Sequence, residues 1–227
     1  LVDLLDRELS VRPSRAIEEL YHSVLEAKRT HKLTNRLNIR ELSFFGRKQE
    51  LSQLEEYLSL VETGEAVGPF LVMGQSGTGK KRLLRQLILM SNRSFNFIKV
   101  EGKATSQRYE GSIWNDLKQA LEKLGDEMGI PFLEGEDDLI SVWNQLQGLS
   151  KEKPLLILLE NAQWIDAVSL EKVKQLEERR NQEKWQLIFT AEEPLPDFFV
   201  NFLGGLKVEK RLSQLELTNF EPSESRA

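Results

Sequence analysis

FLVMGQSGTGKKRLLRQLILM, residues Phe70 to Met90, decides how the rest of the chain is read. The apolar run Phe70, Leu71, Val72 and Met73 stops at Gly74, and apolar residues at Leu83, Leu84, Leu87 and Ile88 take up helical spacing just after Gly79. The pattern predicts a buried strand, a glycine loop and a helix. Gly74, Gly77 and Gly79 let successive backbone N–H groups turn inward into a nest, and the positive end of the following helix aims at the same point. An anion belongs there. Gly74-Gln75-Ser76-Gly77-Thr78-Gly79-Lys80 meets the pattern G-x-x-x-x-G-K of a phosphate-binding loop, with Lys80 placed to reach the outer phosphates of a nucleotide. The next position departs from it. A working loop carries Ser or Thr there, whose hydroxyl is a ligand to the Mg²⁺ that bridges the phosphates. This chain has Lys81. An ammonium cannot ligate a cation, and two like unit charges about 4 Å apart cost about 4 kcal/mol at an effective dielectric of 20.

With 227 residues, 40% of them hydrophobic and 30% charged, the chain can bury a full core without cross-links. The net charge of −5 argues against this piece being an electrostatic binder of nucleic acid, so any such contact is expected from regions outside it. Cysteine is absent, which excludes a disulfide scaffold and makes the cytoplasm the default. No signal peptide and no apolar run near 18 residues is visible, so no membrane partner is expected.

Residues 1–40 read as a helical segment and a basic linker. Ile17, Leu20, Tyr21, Val24 and Leu25 share a helix face, and KRTHKLTNRLNIR reads as a solvated connection. Residues 41–227 read as one α/β domain. Leu51, Leu54, Leu58 and Val61 predict a helix after a turn at Gly46, and Phe95 to Val100 predicts a second strand. A helix through Leu117, Leu121 and Leu124 is expected to end at Gly125, and a shorter one carries Leu139, Val142 and Leu146. Leu155 to Leu159 predicts a strand, Ser169 to Arg180 a charged surface helix, Gln186 to Phe189 a strand, and a last strand lies between Val208 and Leu217. Strands alternating with helices imply right-handed crossovers and a parallel sheet of about five strands, covered on both faces as a three-layer sandwich.

A phosphate-loop enzyme also needs an acid after a second apolar strand, because that carboxylate holds the metal's water shell. LLILLENAQWID supplies the shape, with Glu160 in place of the expected Asp and the uncharged Asn161 beside it, which cannot act as a general base.

FFGRKQELSQL, GQSGTGK, LLILLENAQWID and LIFTAEEP follow in the order found in the AAA-like signal-transduction ATPases with numerous domains, which include large bacterial transcription regulators, and the chain resembles them from about Leu42 to Leu217. LSVRPSRAIEELYHSVL, Leu9 to Leu25, resembles the last helical hairpin of the bacterial transcriptional activator domain. The first resemblance implies a phosphate-loop ATPase fold that binds ATP or ADP. Gly46 and Arg47 would lie beside the adenine, Gly74, Gln75, Ser76, Gly77, Thr78, Gly79 and Lys80 around the phosphates, Glu160 at the metal, and Thr190 where the γ-phosphate is sensed. It also implies a helical lid beyond the end of the sequence. Four positions depart from the working pattern: Lys81, Glu160, Asn161 and Glu192, the last standing where an Arg often follows Thr-Ala.

Together these departures remove a metal ligand, a candidate base and a cation, and the loss of one positioned charge-stabilising group commonly costs about 3 kcal/mol in a transition state. No catalytic residue is assigned. The first reading is a regulatory nucleotide-binding domain of a cytoplasmic signal-transducing transcription regulator, defective in hydrolysis and binding ATP or ADP without Mg²⁺. Its partners would be nucleotide, other domains of the same protein and further copies of itself. A slow Mg²⁺-dependent ATPase switch and an interaction scaffold that no longer binds nucleotide are the alternatives.

Overall fold

The computed structural model describes residues 46–65, 67–180, 183–209 and 211–219. The chain divides into two units after Leu42. The readings of residues 1–40, including the activator-like hairpin, lie outside the described residues.

The second unit is built as predicted around inner strands that are apolar on both faces. Strands β1 (Phe70–Gly74), β2 (Asn96–Glu101), β3 (Leu155–Glu160), β4 (Trp185–Ala191) and β5 (Ser213–Leu217) form one sheet in the order β2-β3-β4-β1-β5. Every neighbouring pair is parallel. Each residue of β3 and β4 is buried, as expected of central strands with a layer on either side.

Among the described residues, six α-helices cover the two faces: α1 (Lys48–Thr63), α2 (Lys80–Ser91), α3 (Ser112–Met128), α4 (Asp138–Ser150), α5 (Ala167–Arg179) and α6 (Asp197–Val208). Strand side chains alternate in direction, so Leu71, Ile98, Ile157 and Phe189 point one way and join a core with Trp114, Val142, Leu170 and Phe202 of α3 to α6. Phe70, Val72, Leu156 and Ile188 alternate with them and are buried on the opposite face, where α2 packs on β1 and α1 on α2. The result is the expected three-layer α/β sandwich.

Three elements differ from their sequence reading. Helix α3 runs past Gly125 and ends at Gly129, which takes the left-handed conformation with φ +71°. Gly125 has another task, since a Cβ there would stand 2.3 Å from the Ile130 carbonyl oxygen and from Gln145 Nε2. Helix α5 is not only a charged surface: Leu170, Val173 and Leu176 are buried, and buried Glu177 pairs with Arg180 at 3.1 Å and Arg211 at 3.3 Å. Helix α6 was not anticipated at all, because DFFVNFLGGLKV mixes apolar residues with a Gly-Gly pair that argues against helix.

The chain leaves β1 for the far edge, returns through β3 and β4, and crosses again to β5. The connections out of β1 and β4, neighbours in the sheet, therefore run in opposite directions over opposite faces. In open parallel sheets this switch point, at the carboxyl ends of the strands, is where a ligand finds a crevice.

Candidate functional site

Five strands deliver Gly74, Glu101, Glu160, Ala191 and Leu217 to that rim as their last residues. At Gly74 (φ +154°) a Cβ would stand 2.7 Å from the Leu217 carbonyl oxygen and 2.8 Å from Thr78 Oγ1, so the loop leaves β1 against the end of β5 where no side chain fits. Gly77 (φ +83°) and Gly79 (φ +96°) turn it back on itself. Thr78 Oγ1 donates to the Gln75 carbonyl at 2.9 Å and closes the turn. Gly79 caps α2 without any side-chain acceptor, and the first bond of the helix runs from Leu83 N–H to the Gly79 carbonyl at 2.9 Å. The amides of Lys80, Lys81 and Arg82 thus precede the helical ladder and face outward, as an anion requires. Lys80 is only 8% exposed, and its ammonium donates to the carbonyls of Gly74 at 2.6 Å and Gln75 at 2.9 Å. In front lies an open cleft of about 550 Å³, with Ser76, Gly77, Gly79, Lys80 and Lys81 on one wall and Asn161, Trp164 and Glu192 on the other. A buried ammonium, an uncapped helix start and a cleft before them fit the phosphates of a nucleotide.

Gly46 and Arg47, expected beside the adenine, precede α1 in left-handed conformations with φ +70° and +57°. The Arg47 guanidinium donates to Glu50 Oε1 at 2.6 Å, to the Thr78 carbonyl at 3.4 Å and to the Thr218 carbonyl. It fastens the phosphate loop to the end of β5.

The registers of β2 and β3 put Glu101 directly beside Glu160, two carboxylates on neighbouring strands. Lys81 answers this repulsion. Its ammonium donates to Glu101 Oε1 and lies 3.8 Å from Glu160 Oε2, while Lys99, on the same face of β2 as Glu101, comes within 3.4 Å of the same Glu160 oxygen. The hydrogen bond from Lys81 is the main reason that the Glu101 carboxyl is held below its usual range, against the upward push of its partial burial. Glu160 is 4% exposed. Where the resemblance asks for a hydroxyl and a carboxylate around Mg²⁺, this chain places a carboxylate between two ammonium groups, a donor set that does not fit a divalent cation. Among the described residues, no cluster of three or more His, Cys, Asp or Glu could hold a metal. Glu101 was missed from sequence, although an acid two residues after Lys99 at the end of a predicted strand was the available signal.

Thr190 is fully buried, and its hydroxyl accepts the Asn161 N–H at 3.1 Å, so it stands behind the cleft wall. Asn161 itself is left-handed, φ +54°, and its amide donates to Glu101 Oε1 at 3.2 Å and the Gly102 carbonyl at 3.3 Å. The residue that reaches the loop from β4 is Glu192. Its carboxylate lies 3.5 Å from the Lys80 ammonium, and its N–H donates to Gln163 Oε1 at 3.2 Å. Gln163 therefore latches the end of β4 to the segment after β3. Asp166 is structural: one carboxylate caps α5 through Ser169 N–H at 2.9 Å and also takes the Gly111 N–H at 2.8 Å at the start of α3.

Residues 43–189 match the family model of the AAA ATPase domain. No curated protein matches the chain. Among solved structures, the ORC2 protein of Aeropyrum pernix, described as ADPNP-ADP complexes, is 16% identical with a TM-score of 0.54, over 81% of this chain and 51% of that one. A chain of Drosophila ORC bound to DNA is 11% identical with a TM-score of 0.51, over 77% of this chain and 93% of that one. A chain of Drosophila ORC bound to AT-rich DNA and Cdc6 is 11% identical with a TM-score of 0.51, over 96% of this chain and 66% of that one. At these identities the likeness is one of fold. This chain spans about half the length of the archaeal structures it matches.

Proposed function

This chain belongs to the AAA ATPase domain family, and we propose that it is a regulatory member that binds ATP or ADP without Mg²⁺ and has lost efficient hydrolysis. The observation that carries this reading is the Lys81 ammonium between Glu101 and Glu160. A tethered cation there neutralises the carboxylates that a metal would otherwise bridge, and it lines the phosphate cleft as well. In this reading the loop amides and Lys80 hold the phosphates, Lys81 supplies positive charge, and Arg47 keeps the loop in shape. Asn161 cannot take a proton, and its side chain is committed to Glu101 and Gly102. Nucleotide when bound supplies the phosphate charge that reads out as a change of conformation, and hydrolysis is not needed for such a switch.

The wider setting is proposed on the resemblance of the sequence motifs: a cytoplasmic signal-transducing transcription regulator, with partners in other domains of the same protein and in further copies of itself. Among the described residues no helix is long and apolar enough to cross a membrane. The net charge of −5 assigns any nucleic-acid contact to regions outside these residues.

Calorimetric titration with ATP and ADP, in Mg²⁺ and in chelator, tests the proposal together with phosphate release from ATP. Binding is expected to persist in chelator, to disappear in Lys80→Ala, and to be accompanied by no turnover near the ordinary 1–10³ s⁻¹ of enzymes (about 10 s⁻¹ at the median). Turnover at such rates, or binding that vanishes in chelator, would overturn it.

A further inference from the structure

An ammonium has three protons to give. Lys80 directs two at the Gly74 and Gln75 carbonyls, at 2.6 and 2.9 Å, and the remaining side of the group faces Glu192 Oε2 at 3.5 Å. That is the side on which the cleft opens, since Lys80 and Glu192 both line it. A carboxylate is therefore already paired with the cation that a phosphate-loop lysine offers to the outermost phosphate. The amides at the start of α2 are untouched by Glu192, whose own N–H is held by Gln163.

We propose that Glu192 is a specificity-determining residue that makes this a nucleoside diphosphate site, its carboxylate standing in for the γ-phosphate; the proposal rests on the reading of the cleft as a metal-free nucleotide site. A diphosphate fills the amide cradle and leaves the Lys80–Glu192 pair in place. A triphosphate must take Lys80 from Glu192 and then hold its terminal charge against a carboxylate. Two features deepen the penalty. Glu192 is tied by its backbone to Gln163 and cannot withdraw freely, and at 31% exposure its side chain is only partly screened by water. A metal that would bridge a carboxylate and a γ-phosphate finds no hydroxyl at position 81. The same contact gives the site its signal, because only a ligand that displaces Glu192 from Lys80 perturbs the end of β4.

The test is calorimetric titration of the whole chain with ADP and with ATP in chelator, for wild type, Glu192→Gln and Glu192→Ala, with thermal unfolding to check that each variant folds. Wild type is expected to bind ADP at least about tenfold more tightly than ATP, a difference of about 1.4 kcal/mol. Both variants are expected to bring the ratio to about one or below, mainly by strengthening ATP binding. A wild-type ratio near one, or a preference for ADP that survives in both variants, overturns the proposal while leaving the nucleotide site standing. Absence of binding by either nucleotide to wild type and variants overturns the site reading and this proposal with it.

Discussion

Replacing Lys81 by Thr restores the residue that a metal-dependent loop carries, and its consequences can be worked from the distances at the rim. The ammonium lies 3.8 Å from Glu160 Oε2. At an effective dielectric of 20, unit charges at that separation attract by about 4 kcal/mol. Lys81 is 42% exposed, so solvent screening cuts the pair to about 1 kcal/mol of net stability. Its loss leaves Glu101 and Glu160 as register partners with Lys99 to balance both. In chelator, Lys81→Thr should therefore unfold about 1 kcal/mol more easily than wild type and bind ADP at least about tenfold more weakly. Millimolar Mg²⁺ should then restore both, because the new hydroxyl and the freed carboxylates offer it oxygen ligands. Wild type should show the same Kd with and without Mg²⁺. Urea unfolding and calorimetry, each in chelator and in Mg²⁺, read the two effects separately. A Lys81→Thr protein whose affinity and stability ignore Mg²⁺ would refute the account of the ammonium as a built-in counterion.

Gly74→Ala should fold but bind nucleotide more than about tenfold more weakly in a titration, since its Cβ would press on the Leu217 carbonyl oxygen at 2.7 Å and open the loop. Asp166→Ala removes acceptors from the starts of two helices, α3 and α5, and should cost about 2 kcal/mol in urea unfolding without changing the ratio of ATP to ADP affinity. Asp138 gives a pH effect. Burial pushes its carboxyl up, but hydrogen bonds from Lys118, Lys172 and the Trp114 indole outweigh that and bring it down to about 2 from the ordinary 3.8. A depressed carboxyl contributes stability that is full above the unfolded value and is lost as pH falls through the folded one. Wild type should thus lose about 1 kcal/mol between pH 4 and pH 2 that Asp138→Asn does not, the figure being discounted for a side chain that is 36% exposed. Equal acid slopes for the two proteins would contradict this.

The three inner strands were legible because they are buried on both faces and so appear as short uninterrupted apolar runs between glycine and charge. The phosphate loop was legible because left-handed turns demand glycine at fixed spacing. What escaped was set by partners distant in sequence. Nothing local says that Glu101 will stand beside Glu160; that follows from the register of β2 on β3. Thr190, which the resemblance puts where the γ-phosphate is sensed, is buried behind the cleft wall because the left-handed turn at Asn161 brings a backbone N–H onto its hydroxyl, and Glu192 lines the cleft. Gly125 read as a helix stop because the sequence does not reveal that the Ile130 carbonyl approaches it.

The rim itself carries a further consequence of this arrangement. Three carboxylates, Glu101, Glu160 and Glu192, meet three ammonium groups, Lys80, Lys81 and Lys99, through contacts of at most 3.8 Å. A metal-dependent site leaves its carboxylates short of positive charge until the cation arrives, so it is built to respond to that cation. Here each of these carboxylates already has a lysine partner within the chain, and Arg82 and Arg85 add further positive charge to the cleft. Because Lys80 is already paired, a phosphate that needs its ammonium must exchange with Glu192, whereas one that rests on the loop amides need not. Glu101 and Glu160 close their strands within the sheet, whereas Glu192 stands beyond the end of β4 on the cleft wall, where a ligand that takes Lys80 must work against its tether to Gln163. On the proposal that Glu192 stands in for a γ-phosphate, its displacement is the step through which a triphosphate, and not a diphosphate, is felt by the rest of the protein.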